Sequence, residues 1–207
     1  MKNKALKIGI TGGIGSGKTT VCHIFETLGI PVYYADDRAK ALMTEDVDLI
    51  KAIKNIFGEA AYFENGSLNR PLISEIAFSN PLILNELNAV VHPAVREDGE
   101  RWHNAQIGVP YTLKEAALHF ESGGYKLMDK MICVVAPQEV RIERVLLRGG
   151  LNRAEIEARM AKQLPDEEKI KKSDFVIYND RMNGLIPQVM AIHKALILYH
   201  GLQSVNV

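Results

Sequence analysis

The chain has 207 residues, of which 47% are hydrophobic and 24% are charged, a composition typical of globular proteins. Its 25 basic and 25 acidic residues cancel, and a formal net charge of zero argues against a surface that coats nucleic acid. No apolar stretch approaches the ~20 residues of a membrane span. No signal peptide is recognisable, because the apolar run after Lys7 breaks at Gly9. We expect a cytoplasmic protein with no nucleic-acid partner, no membrane partner and no obligate protein partner.

The length suits one α/β domain that carries an inserted subdomain. Two cysteines, Cys22 and Cys133, lie in apolar stretches and lack the spacing of metal ligands. We interpret both as buried free thiols, which are typical of a reducing compartment.

Apolar runs predict strands, and apolar residues at helical spacing predict helices. In chain order, the predicted strands cover residues 6–11, 30–34, 110–117, 130–136 and 173–178. The predicted helices cover residues 19–28, 37–43, 47–57, 70–78, 81–102, 137–148, 152–163 and 186–198. Strands that alternate with helices predict an α/β fold with a three-layer parallel sheet.

Two segments depart from this alternation. Residues 58–106 have no convincing strand character, so we interpret them as a helical insertion. Residues 149–165 are polar, rich in charge and bounded by glycines and a proline, which favours a lid that we place at residues 149–168. The remaining residues, 1–57, 107–148 and 169–207, are predicted to form the nucleotide-binding core of a single domain.

The first predicted strand runs into a glycine-rich segment, residues 12–19, which fits the phosphate-binding pattern G-x-x-x-x-G-K-[ST]. A strand precedes it and a helix follows, so backbone N–H groups at the helix start can point at a phosphate. Lys18 adds a positive charge for the β- and γ-phosphates, and the Thr19 hydroxyl offers a ligand to Mg²⁺. The alternative is a glycine-rich turn that binds nothing.

Asp36 and Asp37 follow the second predicted strand, at the carboxyl edge where open α/β sheets bind ligands. Transfer of a phosphoryl group to an alcohol needs a group that orients the hydroxyl and accepts its proton. Asp36 is a candidate for that role, and the alternative is that it caps the following helix. For Asp37 a capping or first-turn role is favoured.

Four further residues are candidates with ordinary alternatives. Arg144 and Arg148 share a helix face, where they could clamp phosphates from the base of the lid or form a solvated basic face. His92 in the insertion could contact a ligand or be a surface histidine. Glu121 follows the third strand and could face the same cleft or be a solvated loop acid.

Two nucleotide-binding motifs are absent from the sequence. No Asn-Lys-x-Asp occurs, so guanine specificity is unsupported, and no apolar strand ends in the Asp-Glu of motor and transporter ATPases. A small-molecule kinase is the class that remains.

The chain resembles the dephospho-CoA kinase family over nearly its whole length. Residues 11–18 read Thr-Gly-Gly-Ile-Gly-Ser-Gly-Lys, a form much narrower than the general pattern and almost identical to the family's loop. The other segments that resemble family motifs are residues 32–36, 67–70, 87–88, 92–95, 117–121, 134–137, 163 and 173–179.

This resemblance implies that ATP phosphorylates the ribose 3′-hydroxyl of dephospho-CoA, giving CoA, in a P-loop kinase fold with a helical CoA-binding insertion and a lid. Carried over by position, Asp36 is the catalytic base, Lys18 and Arg148 clamp phosphates, and Thr19 binds Mg²⁺. The residues implied to bind ATP are Gly13, Gly15, Ser16, Gly17, Lys18, Thr19, Thr20, Arg144 and Asn179. The residues implied to bind dephospho-CoA are Thr11, Asp36, Arg70, His92 and Glu121.

The sequence departs from the family pattern at several positions. Tyr34 and Asn69 stand where the family has aspartates, Arg141 replaces a glutamine, and His119 replaces a leucine. Residues 114–117 replace an apolar strand and a proline, which predicts an irregular end to the third strand.

Two other hypotheses stay open at this point. Another P-loop kinase, such as a nucleoside monophosphate kinase, would share the loop and differ in its acceptor. A nucleotide-dependent switch whose insertion binds a protein would hydrolyse ATP slowly and would not respond to dephospho-CoA.

Overall fold

The apolar runs form a parallel sheet in the computed structural model, which describes residues 4–205. Its strands are β1 Leu6–Thr11, β2 Val32–Tyr34, β3 Tyr111–Glu115, β4 Lys130–Val135 and β5 Phe175–Tyr178. They lie in the order β2-β3-β1-β4-β5, and every pair is parallel. The prediction of an α/β fold with a parallel sheet is therefore confirmed.

Helices fill most of the chain between the strands. They are α1 Lys18–Thr27, α2 Ala35–Glu45, α3 Val47–Phe57, α4 Arg70–Ser79, α5 Pro81–Ala105, α6 Gln138–Arg148, α7 Arg153–Ala161, α8 Asp166–Lys171 and α9 Leu185–Val205. Every predicted helix is present, and the short helix α8 was not predicted. Across residues 4–205, each helix is too short or too polar to cross a membrane.

The sheet is centred on β1, which is buried between two neighbours. Ile8 faces Leu113 of β3, and Ile10 faces Ile132 of β4, with no exposed surface on any of these four residues. A strand buried on both faces reads as a continuous apolar run, which is why β1 was predictable. The loop that follows β1 consequently leaves the sheet at the middle of its carboxyl edge.

The strand β3 keeps its register to its last residue. Glu115 is paired with Ile10 on one side and with Tyr34 on the other. The irregularity expected for residues 114–117 therefore begins only at Ala116, whose N–H still donates to the Ile10 carbonyl.

The chain divides into two compact units. One unit holds the sheet and comprises the chain up to Tyr34 and from Ala105 onward; the other comprises residues 35–104 and is helical. The functional division into core, insertion 58–106 and lid 149–168 stays a prediction.

The helical unit has its own apolar core, and a forked ion pair joins two of its helices. The guanidinium of Arg38 on α2 donates to both carboxylate oxygens of Asp98 on α5, at 3.0 and 3.2 Å. Such a forked pair fixes the relative orientation of the two helices. The buried apolar residues of this unit are Ala35, Leu42, Leu49, Ile53, Ala61, Leu68, Ile73, Ala77, Leu87, Val91 and Val95.

The two thiols should be unreactive in the folded protein. Cys22 and Cys133 are fully buried and free, and burial raises the pKa of Cys133 to about 12 and that of Cys22 further. Because the thiolate is the reactive form, we expect iodoacetamide at pH 8 to leave both unmodified. Intact mass should show two additions only in denaturant, and rapid modification of the folded protein would contradict their burial.

Candidate functional site

The glycine-rich segment forms a loop between β1 and α1. Its backbone takes left-handed φ angles of 77° at Gly15 and 92° at Gly17, which favour glycine. The Ser16 N–H donates to the Gly13 carbonyl at 3.1 Å and closes the turn. The helix α1 begins at Lys18 without a side-chain cap, so the first N–H groups of the helix are available to an anion.

Asn179 supports the loop from the end of β5. Its amide nitrogen donates to the Ser16 carbonyl at 2.8 Å, and its amide oxygen accepts from Arg144 Nη2 at 3.1 Å. A side chain at Gly17 would overlap the Asn179 amide nitrogen. Glycine is therefore required there by the close approach as well as by its φ angle.

Arg144 on α6 completes this support. Its Nη2 donates to the Asn179 carbonyl at 3.2 Å, while its Nη1 lies 3.5 Å from the carbonyl oxygens of Gly15 and Ser16. Burial lowers the pKa of Arg144, and the nearby charges of Arg181 and Arg148 lower it further. Arg144 and Asn179 were both predicted to bind ATP. In the structure their side chains instead contact carbonyl oxygens of the phosphate loop.

Lys18 is folded back onto the loop. Its Nζ donates to the Gly12 carbonyl at 3.1 Å and lies 3.6 Å from the Glu115 carboxylate, and both side chains are largely buried. Glu115 was not identified from the sequence. The available signal was its position at the end of a strand, and Lys114 before it hid the apolar pattern of that strand.

The tip of the loop contacts α6, α7 and the segment that follows α7. The Ile14 N–H donates to the side-chain oxygen of Gln163 at 2.9 Å. Its side chain packs against the buried cluster of Ile142, Val145 and Ile156. The backbone of this loop residue is thus held by Gln163 of the predicted lid, and its side chain packs against residues of both α6 and α7.

Arg141 on α6 lies against Gly13. A side chain on Gly13 would overlap the Arg141 guanidinium, which pairs with Asp166 at 3.5 Å. The Nε of Arg141 is buried without a hydrogen-bond partner among the described residues. Arg141 therefore places a cation directly beside the loop.

The hydroxyl groups of the loop differ in accessibility. Thr11 is fully buried, and its Oγ1 donates to the Ala117 carbonyl at 3.2 Å. The Ser16 Oγ is buried without a hydrogen-bond partner in the described chain. Thr19 and Thr20 are exposed on the first turn of α1, where a ligand can reach them.

Arg148 is the exposed last residue of α6, and a glycine pair follows it with left-handed φ angles of 75° and 83°. The next helix, α7, starts with a capping box between Asn152 and Glu155. Ile156 of α7 is fully buried. A cavity of about 570 Å³ lies between the start of α6, α7 and residues 163–167.

The loop after β3 is fixed by buried residues. His119 is buried, and its Nε2 lies 2.9 Å from the Lys114 carbonyl. Burial lowers the pKa of His119 to about 4, so the ring is neutral at pH 7 and Nε2 carries the donated proton. The adjacent Phe120 packs on the Tyr125 ring. Glu121 follows, and one of its carboxylate oxygens accepts the Leu164 N–H at 2.8 Å.

Three predicted residues lie in the helical unit, and all are exposed. Asp36 is the second residue of α2, inside the first turn, whereas an N-cap precedes the helix. Arg70 is the first residue of α4, which Asn69 caps. His92 lies on α5 directly before Pro93.

The arrangement suits the binding of a phosphate chain. Free N–H groups at a helix start, a lysine and a nearby arginine cluster together provide donors and positive charge for such an anion. Among the described residues, no group of three histidine, cysteine or acidic side chains could hold a metal by itself.

Comparisons with known proteins agree with this geometry. The family model described as dephospho-CoA kinase matches residues 6–184. A dephospho-CoA kinase from Salinibacter ruber is 43% identical over 175 residues, which cover 84% of this chain and 88% of the relative. A dephospho-CoA kinase from Bacteroides fragilis is 36% identical over 188 residues, or 91% of each chain. A crystal structure from Thermus thermophilus has a TM-score of 0.80 and 34% identity, covering 94% of this chain and 97% of that one.

Replacing Gly17 by alanine should weaken ATP binding by at least about tenfold, because the loop cannot keep both its shape and its contact with Asn179. The measurement is calorimetric titration with ATP and Mg²⁺. Gly29→Ala is the matched control, since Gly29 has a similar φ of 78° and open space around it. The control should lose stability but keep its ATP affinity. Equal loss of affinity in both variants would show that backbone strain alone is responsible.

Proposed function

The chain belongs to the dephospho-CoA kinase family, and from that premise we propose that it transfers the γ-phosphoryl group of ATP to the ribose 3′-hydroxyl of dephospho-CoA. The products are CoA and ADP, and the reaction is the final step of CoA biosynthesis. The observation that carries the proposal is the match of the family model to residues 6–184. This match includes the phosphate loop in one unit and Asp36, Arg70 and His92 in the other.

On the ATP side, Lys18 neutralises charge at the β- and γ-phosphates. The other residues of the loop and the first turn of α1 that are proposed to bind the phosphates are Gly13, Gly15, Ser16, Gly17, Thr19 and Thr20. Within the protein, Lys18 contacts the Gly12 carbonyl and the Glu115 carboxylate. We propose that Lys18 turns from the Gly12 carbonyl to the phosphates when ATP binds, while Glu115 keeps its ammonium near the edge of the sheet. Arg144 and Asn179 contribute by fixing the carbonyl side of the loop.

The residues present fit a role for Mg²⁺. Thr19 places an exposed hydroxyl on the first turn of α1, and a magnesium site of this kind takes its other ligands from phosphate oxygens and water. When bound, the ion would supply positive charge that offsets the charge of the phosphates. A binding site made of several carboxylates is not required.

On the acceptor side, we assign Asp36 the role of general base, because it lies two residues past the carboxyl end of β2, in the first turn of α2 and not at its N-cap. Arg70 and His92, both exposed, are proposed to contact dephospho-CoA. Thr11 and Glu121 stay predicted substrate contacts, although each already makes a hydrogen bond within the protein.

We propose that residues 149–168 act as a lid and that Arg148 delivers its exposed guanidinium to the transferred phosphoryl group. A lid excludes water, so that ATP is transferred and not hydrolysed. Opening it would expose Ile156, which costs about 2 kcal/mol for a buried isoleucine. A cost of this size is small enough for repeated opening.

The cytoplasmic location and the absence of macromolecular partners stay predictions.

The acceptor preference tests the proposed function directly. We expect ADP formation in a coupled assay to rise strongly with dephospho-CoA and little with AMP, CMP or UMP at equal concentration. Preference for a monophosphate would favour a nucleoside monophosphate kinase instead. Slow ATP hydrolysis that no acceptor accelerates would favour a nucleotide-dependent switch.

Asp36→Asn should lower kcat by roughly 10²–10⁴-fold with little change in ATP affinity, since an amide keeps the shape but cannot accept the proton. Asp37→Asn is the matched control, because Asp37 is its exposed neighbour and pairs only with the surface residue Lys40, at 2.7 Å, among the contacts described. Steady-state kinetics and a thermal melt of both variants separate the two roles. Nearly full activity with reduced stability of Asp36→Asn would make Asp36 a structural residue.

A further inference from the structure

The carboxyl end of the predicted lid is fastened at two consecutive residues. Gln163 accepts the Ile14 N–H at 2.9 Å, and the Leu164 N–H donates to Glu121 at 2.8 Å. These bonds join the segment to the phosphate loop on one side and to the loop after β3 on the other. We call Glu121, Gln163, Leu164 and Lys169 the lid anchor.

Lys169 is the buried charge of the lid anchor. Its side chain on α8 has no exposed surface, and its Nζ makes no hydrogen bond within the described residues. The Nζ lies 3.8 Å from the same Glu121 oxygen that accepts the Leu164 N–H. Burial lowers the pKa of Lys169, while the charges of Glu121 and Asp166 act in the opposite direction. Because Lys169 is fully buried, removal of the Glu121 carboxylate would take away the nearest opposite charge from a buried ammonium, which is unfavourable.

Glu121 is presented to Lys169 by a fixed loop. The two preceding residues, His119 and Phe120, are buried, and the His119 ring is bonded to the Lys114 carbonyl. The Glu121 side chain is only 23% exposed. Its position is therefore set by the core of the sheet unit, and it can serve as the fixed point to which residues 163–169 attach.

Ile14 links the lid anchor to the phosphate loop. Its N–H is held by Gln163, and its side chain lies in the cluster with Ile142, Val145 and Ile156. A shift of Gln163 would release the backbone at the tip of the loop, two residues before Ser16. The shape that binds phosphate would then be one of several accessible to a glycine-rich segment.

We propose that Glu121 and Lys169 are positioning residues, which hold Gln163 on the Ile14 N–H and so keep the phosphate loop in its ATP-binding shape. The glycine pair at 149 and 150 is then the end of the lid that moves, and residues 163–169 stay attached. This assignment rests on the kinase function proposed above. It gives Glu121 a task on the ATP side, in contrast to the substrate contact predicted from the sequence.

The test uses the full chain and three variants. Glu121→Gln keeps an acceptor for the Leu164 N–H but leaves Lys169 without its carboxylate. We expect the ATP dissociation constant to rise about tenfold, with faster amide hydrogen exchange at Ile14 by NMR and little change in the KM for dephospho-CoA. Glu121→Gln combined with Lys169→Met removes both charges and should return ATP affinity to within about threefold of the original.

Gln163→Ala and a surface pair provide further discrimination. Gln163→Ala removes the acceptor for the Ile14 N–H and leaves the Glu121–Lys169 pair unchanged. It should reproduce the loss of ATP affinity and the faster amide exchange at Ile14. Glu139→Gln breaks an exposed ion pair, at 2.6 Å, between α6 and Arg153 of the predicted lid. It should change neither the ATP affinity nor the amide exchange at Ile14. Thermal melts identify any variant that fails to fold, and Gln163→Ala tests the proposal in that event.

Two results would overturn the proposal. The first is a Glu121→Gln enzyme with unchanged ATP affinity and Ile14 exchange but a raised KM for dephospho-CoA, which would make Glu121 a substrate contact. The second is a double variant as impaired as Glu121→Gln alone. ATP affinity and Ile14 amide exchange are both measured without dephospho-CoA. They would therefore still test this proposal if the chain phosphorylated a different acceptor substrate.

Discussion

The phosphate loop depends on hydrogen bonds made to its carbonyl oxygens. A backbone can offer its N–H groups to an anion only if the opposite side of the peptide plane is held still. Here Asn179 binds the Ser16 carbonyl and is itself bound by Arg144, so that one amide side chain joins the end of β5 to α6 and to the loop. The sheet order makes this arrangement possible, because β4 lies next to β1 and β5 lies next to β4, on the side of β1 opposite β3.

The opposite neighbour of β1 contributes charge. Glu115 ends β3, lies next to β1 and sits 3.6 Å from Lys18, so the lysine has a partner of opposite charge. An isolated ammonium with so little exposed surface would be unfavourable. The edge of the sheet thus combines a rigid set of donors with a cation that is already placed close to where it is needed.

The sequence predicts the parts of this protein that depend on local pattern. The apolar run of β1, the glycine loop and the long helix α5 are all recognisable because their signals lie within a few residues. The Pro93 inside α5 did not prevent a continuous helix. The short helix α8 was missed, because six residues after a proline give too little periodicity to recognise.

Within the site, the sequence did not predict contacts between residues that are far apart in the chain. Nothing near Glu121 indicates a bond to Leu164, which is 43 residues away. Glu115 was not predicted as a site residue, because Lys114 interrupts the apolar pattern of the strand. The Glu115 carboxylate nevertheless lies close to Lys18 of the phosphate loop. Arg141 was recognised as a departure from the family pattern, but its position against Gly13 follows only from the packing of α6.

The central position of β1 has a consequence for synthesis of the chain. The strand emerges from the ribosome well before both of its neighbours, β3 and β4, which come after the whole helical unit. The bond from Thr11 to Ala117 spans 106 residues. Residues 35–104 can complete their local contacts during this interval, whereas β1 keeps an apolar surface exposed. Long-range pairing of this kind slows folding and favours aggregation of the nascent chain. The strand on which ligand binding is built is therefore also the one for which chaperones have the longest opportunity to act.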